Sequence, residues 1–210
     1  MVFVRRGPVI AFLGPDGAGK GTVIAGVLQL LDGPVTVLYL GRARSRRDPG
    51  SVARDGAPRR QPSSPRECAF LARRAARHLG LLLRGYAAAW RGHVVLCDRH
   101  PVEVLAVRPP RTPAGEVLER FIARRLIPWP DAVIVLDAPA SRLLDRKGEH
   151  SLGVLERWRR GYLEVFGPRG AAVISTDGPP GASIAAALAA VREARSARNA
   201  ARTHGATPSA

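Results

Sequence analysis

Val9-Ile10-Ala11-Phe12-Leu13-Gly14-Pro15-Asp16-Gly17-Ala18-Gly19-Lys20-Gly21-Thr22 is the stretch from which the rest of the chain can be read. Five apolar residues in a row predict a buried strand. A glycine-rich turn follows, then a lysine, then an apolar-periodic run (Val23, Ile24, Val27, Leu28, Leu31) that predicts a helix over residues 20–31. The spacing is G-x-x-x-x-G-K in a strand–loop–helix context, the pattern of a phosphate-binding loop. Gly14, Gly17 and Gly19 let the backbone of 14–22, Asp16 and Ala18 included, wrap a polyphosphate with its N–H groups inward, because no Cβ blocks the approach. The helix N-terminus adds partial positive charge behind those donors, and Lys20 is placed to reach the β- and γ-phosphates. A tight turn that binds nothing is the plain alternative, but turn chemistry does not ask for Lys20 between Gly19 and Gly21. A nucleoside triphosphate is the predicted ligand.

Composition sharpens this. Of the 33 basic residues, 31 are arginine and the two lysines are Lys20 and Lys147. A chain that otherwise uses arginine keeps a lysine in the phosphate loop, where a compact ammonium fits and a planar guanidinium does not. Length (210 residues) suits one α/β domain, and 46% hydrophobic with 24% charged residues is ordinary for a globular protein. The net charge of +16 suits a polyanionic partner, whether nucleic acid, an acidic surface or a small polyphosphate, or reflects a general arginine bias. Cys68 and Cys97 are the two cysteines, with Cys97 ending a predicted buried strand, which favours a reducing, cytoplasmic setting. The longest apolar patch, 79–90, is interrupted by Arg84 and too short to span a bilayer, so no membrane partner is expected.

Further strands are predicted at 35–40, 93–97, 132–136 and 171–174, and helices at 66–91, 114–126, 154–166 and 182–195, with a short helix after Pro139. On the long helix the apolar stripe reads Ala69, Ala72, Ala76, Leu79, Leu83, Tyr86, Trp90. On the next, Val117, Leu118, Phe121 and Ile122 read as inward. Strands alternating with helices predict an α/β fold: a five-stranded parallel sheet with helices on both faces. Residues 41–65 are rich in Arg, Ser, Pro and Gly without periodicity, which reads as a long loop that either fills space or closes over a substrate. The domain spans 1–197, and 198–210 reads as a disordered tail.

Three clusters suggest what becomes of the triphosphate. Asp98-Arg99 directly follows the third strand. A carboxylate there suits the water shell of Mg²⁺ or an attacking group, and the guanidinium suits a phosphate; a strand-end ion pair is the alternative. Arg142, Arg146 and Lys147 lie on adjoining faces of one helix before Gly148, as in a lid over 142–153 that closes on a transferring phosphoryl group, or else as a solvated basic helix end. Arg73, Arg74 and Arg77 on the long helix, with Asp16, read either as groups that reach an acceptor opposite the triphosphate or as a solvated helix face.

The loop with Pro15-Asp16-Gly17, the Asp98-Arg99-His100 motif, Leu136-Asp137-Ala138-Pro139 and the run Arg159-Arg160-Gly161-Tyr162-Leu163-Glu164 together resemble the thymidylate kinases, within the nucleoside monophosphate kinases. The likeness runs from about Val9 to the final helix, with 41–65 unmatched. It implies a three-layer P-loop kinase fold, ATP and Mg²⁺ as cofactors, and transfer of the γ-phosphoryl to a nucleotide, dTMP being the first candidate. By position, Lys20 would bridge donor phosphates, and Gly14, Asp16, Gly17, Ala18, Gly19, Gly21 and Thr22 would complete the donor loop. Asp98 and Thr22 would serve the metal. Asp16, Arg74, Arg77 and Arg99 would meet the acceptor, and Arg142 and Arg146 would be lid arginines.

The chain departs from the pattern in three places. Gly21 stands where a hydroxyl residue usually follows the lysine, with Thr22 one place later. At the spacing of the base-reading glutamine after Arg74 or Arg77 stand Ala76 and Leu79. Val102, Glu103 and Val104 replace an aromatic, glutamine-bearing run. Another nucleotide, a nucleoside or a phosphorylated small molecule is therefore an open acceptor. A nucleotide or RNA binder without turnover is the rival from another class, though 41–65 holds no aromatic for base stacking. Polyphosphate as donor and a homodimer as assembly also remain open.

Overall fold

The structure, a computed structural model, describes residues 6–41, 64–107, 111–148 and 150–204. Most of the 41–65 loop, the end of the tail and part of the 142–153 segment lie outside the described residues. Strands β1 (Val9–Leu13), β2 (Val35–Tyr39), β3 (Val94–Asp98), β4 (Ala132–Asp137) and β5 (Ala172–Ser175) form one parallel sheet in the order β2-β3-β1-β4-β5. Helices α1 (Lys20–Leu30), α2 (Ser64–Trp90), α3 (Pro113–Phe121), α4 (Ala140–Lys147), α5 (Leu152–Phe166) and α6 (Pro180–His204) cover it. β1 is central, which explains why all five of its residues are buried, and its alternation divides the core into two layers. Ile10 and Phe12 pack with Val23, Ile24 and Val27 of α1 and Leu188 and Val191 of α6. Val9, Ala11 and Leu13 pack with Leu82 and Ala89 of α2 and Tyr162 and Phe166 of α5. The predicted three-layer α/β architecture is the observed one.

Two helices differ, α2 largely and α3 in part, from the inward face that their apolar residues predict. On α2 the buried residues are Glu67, Leu71, His78, Leu82, Gly85 and Ala89, while Leu83 and Trp90 of the predicted stripe are 59% and 66% exposed. The reason is close approach. A Cβ on Gly85 would lie 2.4 Å from Leu38 Cδ1, so the helix backbone is seated against β2 through its smallest residue. On α3 the predicted face holds in part: Leu118 and, just past the helix, Ile122 pack inward, whereas Val117 and Phe121 point outward and Gly115 and Glu119 inward. Glu67 explains this face: its carboxylate accepts from the Thr112 amide (2.9 Å) and hydroxyl (2.6 Å), and a Cβ on Gly115 would lie 2.2 Å from Glu67 Oε2. Thr112 then caps α3 by accepting from Gly115 N–H at 3.2 Å.

Three boundaries also shift. The predicted helix 114–126 is α3 followed by a single π-helical segment, Ile122–Leu126. A 3₁₀ turn, Pro101–Leu105, follows β3. α6 continues to His204, so the disordered tail assigned from 198 is helical through its first part. Ala-rich sequence with arginines sustains a helix beyond the last apolar contact, because Ala and Arg have high intrinsic helix propensity. Among the described residues no helix is long and apolar enough to cross a membrane.

Candidate functional site

The glycine-rich loop that follows β1 leaves its C-terminal end between β3 and β4, where an open parallel sheet forms its crevice. Gly14, Gly17 and Gly19 have φ of 141°, 87° and 75°, all in the region that only glycine enters readily. Two of them are also pinned by contact. A Cβ on Gly14 would lie 2.4 Å from the Leu136 carbonyl oxygen and one on Gly17 2.8 Å from that of Leu143, whereas Gly19 has open space. Gly14→Ala should therefore cost roughly 2–3 kcal/mol of stability, combining the backbone conformation with an immovable overlap, and Gly19→Ala only about 1 kcal/mol. Denaturant melts of the two variants check this. Equal losses would mean that the loop is not pressed against β4.

Lys20 opens α1 and is 8% exposed. Its ammonium donates to the carbonyls of Gly14 (2.7 Å) and Pro15 (2.8 Å), folding the side chain back over the loop it would serve. Burial, reinforced by the Arg99 charge, lowers its pKa to about 8, against the opposing carboxylates of Asp16, Glu103 and Asp98. An anion in the loop would restore that charge. Ala18 is fully buried, while Gly21 and Thr22 are exposed on the first turn of α1.

Asp16 sits at the middle of a charge cluster drawn from four segments. Arg99 pairs with it directly, Lys147 Nζ is 3.8 Å away and His150 Nε2 is 3.7 Å away. Burial works to raise the Asp16 carboxyl, but Arg99, Lys20 and Lys147 outweigh it and hold the group below its ordinary value. Arg99 is the only non-glycine residue with positive φ (68°) among the described residues. Its guanidinium lies between Asp16 and Glu103, the latter at 3.6 Å. Both carboxylates raise its pKa despite burial. Glu103 Oε2 accepts from the Tyr162 hydroxyl at 3.2 Å, and burial drives the tyrosine's pKa well up. The His150 ring stacks edge-on to Trp158, with centroids 4.5 Å apart, which ties the segment after α4 to α5.

The basic helix α4 is anchored on the loop after β5. Arg146 donates to the Thr176 carbonyl (2.6 Å) and lies 3.5 Å from the Gly17 carbonyl. Arg142 pairs with Asp177 at 3.1 Å on the surface. Gly148, at φ 60°, ends α4 by donating to the Leu144 carbonyl. Thus Arg146 and Lys147 reach the phosphate loop, and Arg142 faces the β5–α6 connection. Arg74 and Arg77 are not brought to the loop. Arg74 is engaged with Glu119, which Arg111 also holds at 3.1 Å, and Arg77 and Arg73 are exposed. That network fastens α2 to α3 instead.

Sequence reading passed over Glu103 and Tyr162 as site residues. A signal existed for the first: Glu103 follows Arg99 by four residues, a spacing that brings side chains together on a turn of helix. The quoted motifs also meet in space. Arg159 grips Asp137 bidentately (2.7 and 3.0 Å), and the Gly161 Cα lies against the Ala106 carbonyl, where a Cβ would come within 2.3 Å.

Asp98 ends β3 half-buried, close enough to act on the Lys20 charge, and Thr22 offers an exposed hydroxyl. Both are hard oxygen donors. No group of three or more metal-ligating side chains occurs among the described residues. Mg²⁺ takes donors of this kind, one or two carboxylates together with phosphates and water rather than a protein cage. A search against models of known protein families finds none that matches this chain.

Proposed function

We propose that this chain is a Mg·ATP-dependent phosphotransferase of the nucleotide-kinase kind, acting in the cytoplasm. The reading rests on one observation above others: three left-handed glycines and a buried lysine follow one another in the loop that leaves the central strand at the crevice of a parallel sheet. The loop amides and Lys20 would cradle the β- and γ-phosphates. Arg146 and Lys147 would offset charge spreading over the transferred group, and Asp98 with Thr22 would hold Mg²⁺, which neutralises the phosphates and orients them. The protein's contribution is positioning and electrostatics, with no covalent step of its own. The resemblance to thymidylate kinases makes dTMP the first candidate acceptor, with another nucleotide, a nucleoside or a phosphorylated small molecule as alternatives. Cys68 and Cys97 are both free thiols, in keeping with a reducing compartment.

Calorimetric titration with Mg·ADP, followed by ADP release across a set of nucleotides, nucleosides and sugar phosphates, tests the reading. Absence of Mg·ADP binding defeats it. Arg146→Ala should lower turnover by about tenfold while changing Mg·ADP affinity less than about threefold, since its charge acts on the moving phosphoryl group. The reverse pattern would assign Arg146 to holding the nucleotide.

A further inference from the structure

Arg99 is the cation that would meet an acceptor phosphate, and in this structure it is already matched. Asp16 and Glu103 take its guanidinium from two sides. Lys20 and Arg146 belong to the donor loop, and Lys147 already faces Asp16. A phosphate dianion bound at Arg99 would have to displace a carboxylate and then lie beside it, two like charges in a half-buried pocket. A neutral hydroxyl meets no such repulsion: it can donate to a carboxylate and accept from the guanidinium.

Glu103 is built for that contact. Its side chain is 25% exposed, so it is open to a ligand yet shielded. The Tyr162 hydroxyl, 3.2 Å away, orients the carboxylate. Through Arg99, which also pairs with Asp16, it stands beside the glycine-rich loop. The groups around it are Arg99, Lys20, Tyr162 and Asp16. Burial, with the Asp16 charge, raises the Glu103 carboxyl above its ordinary value against the opposing pull of Arg99, Lys20 and the Tyr162 hydrogen bond, which strengthens it as a proton acceptor.

We propose that the acceptor in this site is a hydroxyl group rather than a phosphate, and that Glu103 is the base that takes its proton. The inference rests on the ATP-dependent phosphotransferase reading above and, among the acceptors named there, selects a nucleoside or other hydroxyl compound over dTMP. In the step, the acceptor O–H bond breaks and its proton passes to a Glu103 carboxylate oxygen. The acceptor oxygen bonds to the γ-phosphorus as the bond from that phosphorus to the bridging oxygen breaks. ADP leaves with the electron pair, and Glu103 then releases the proton to solvent.

Water standing in for the hydroxyl supplies a test that needs no knowledge of the acceptor. Basal ADP release from Mg·ATP should fall at least about tenfold in Glu103→Gln and lose the acidic limb of its pH–rate profile, with Mg·ADP affinity kept within about twofold. Binding gives a second readout. By calorimetry dTMP should bind Glu103→Gln at least about tenfold more tightly than the wild type, because Arg99 is then relieved of one carboxylate. Glu103→Asp, which keeps the charge, should retain the acidic limb and serves if the glutamine variant does not fold. Stimulation of wild-type ADP release by dTMP, or an unchanged basal rate and pH profile in Glu103→Gln, overturns the proposal. So does a wild type that binds Mg·ADP yet releases no ADP. Failure of the wild type to bind Mg·ADP would instead strike the phosphotransferase reading beneath it.

Discussion

Lys20→Ala should lose at least ~100-fold in the rate of ADP release from Mg·ATP while melting at or above the wild-type temperature. The rate loss follows from where the ammonium sits. It is held by the Gly14 and Pro15 carbonyls, within the glycine-rich loop between β1 and α1. A triphosphate would draw it from those carbonyls onto the β- and γ-oxygens, where its charge does most as the bond between them breaks. The expectation for stability has a separate cause. Burial opposes the charged form strongly enough to bring the pKa down to about 8, so the folded protein carries an unfavourable cation. Alanine removes that cation and is the best helix former at the first position of α1. Lys20→Arg should not restore activity, because a guanidinium is broader than the pocket between two carbonyls. Steady-state kinetics beside thermal melts separate the two effects. An undiminished rate, or a rate loss that only tracks unfolding, would remove Lys20 from the mechanism.

Acid should unfold this protein well before its carboxylates are titrated. His78 and His100 are 7% and 1% exposed, and His100 Nε2 is buried with no hydrogen-bond partner among the described residues. Burial lowers the His78 pKa to about 4, helped by Arg74 and Arg77, and that of His100 to about 3, helped by His78. In the unfolded chain both would titrate near 6.5. Both folded values are below the unfolded one, so the unfolded state binds more protons and stability falls as the pH drops below about 6.5. Between pH 7 and pH 5 the loss amounts to about 2 kcal/mol for each histidine, roughly 4 kcal/mol together. Urea melts across that range measure it. Asp16 and Glu67, whose carboxyls are held below their ordinary values, contribute further losses only at lower pH. A variant with His78→Gln should lose about half of the slope between pH 7 and pH 5. A flat stability profile down to pH 5 would mean that neither ring is kept neutral by the fold.

Local chemistry along the chain carried much of the fold. The run of five apolar residues before Gly14 could only be a strand buried on both faces, and β1 is that strand at the centre of the sheet. The glycines at 14, 17 and 19 determined the conformation of the turn between β1 and α1, because positive φ at three nearby positions is met readily by one residue type. Alternating strand and helix periods determined the parallel, layered architecture.

Tertiary structure alone decided which face of α2 and α3 is inside. Periodicity counts apolar side chains, but here α2 approaches the sheet through Gly85 and α3 approaches α2 through Gly115, with Glu67 and Glu119 buried between the helices and satisfied by Thr112, Arg74 and Arg111. A glycine that allows contact and a glutamate that finds its partner some 45 residues away both read as surface in a linear scan. The same holds for the charge cluster. Asp16 and Arg99 are 83 residues apart, and Glu103 and Tyr162 are 59 apart. Only folding brings them together, since an ion pair or a hydrogen bond depends on distance through space and leaves no period in the sequence.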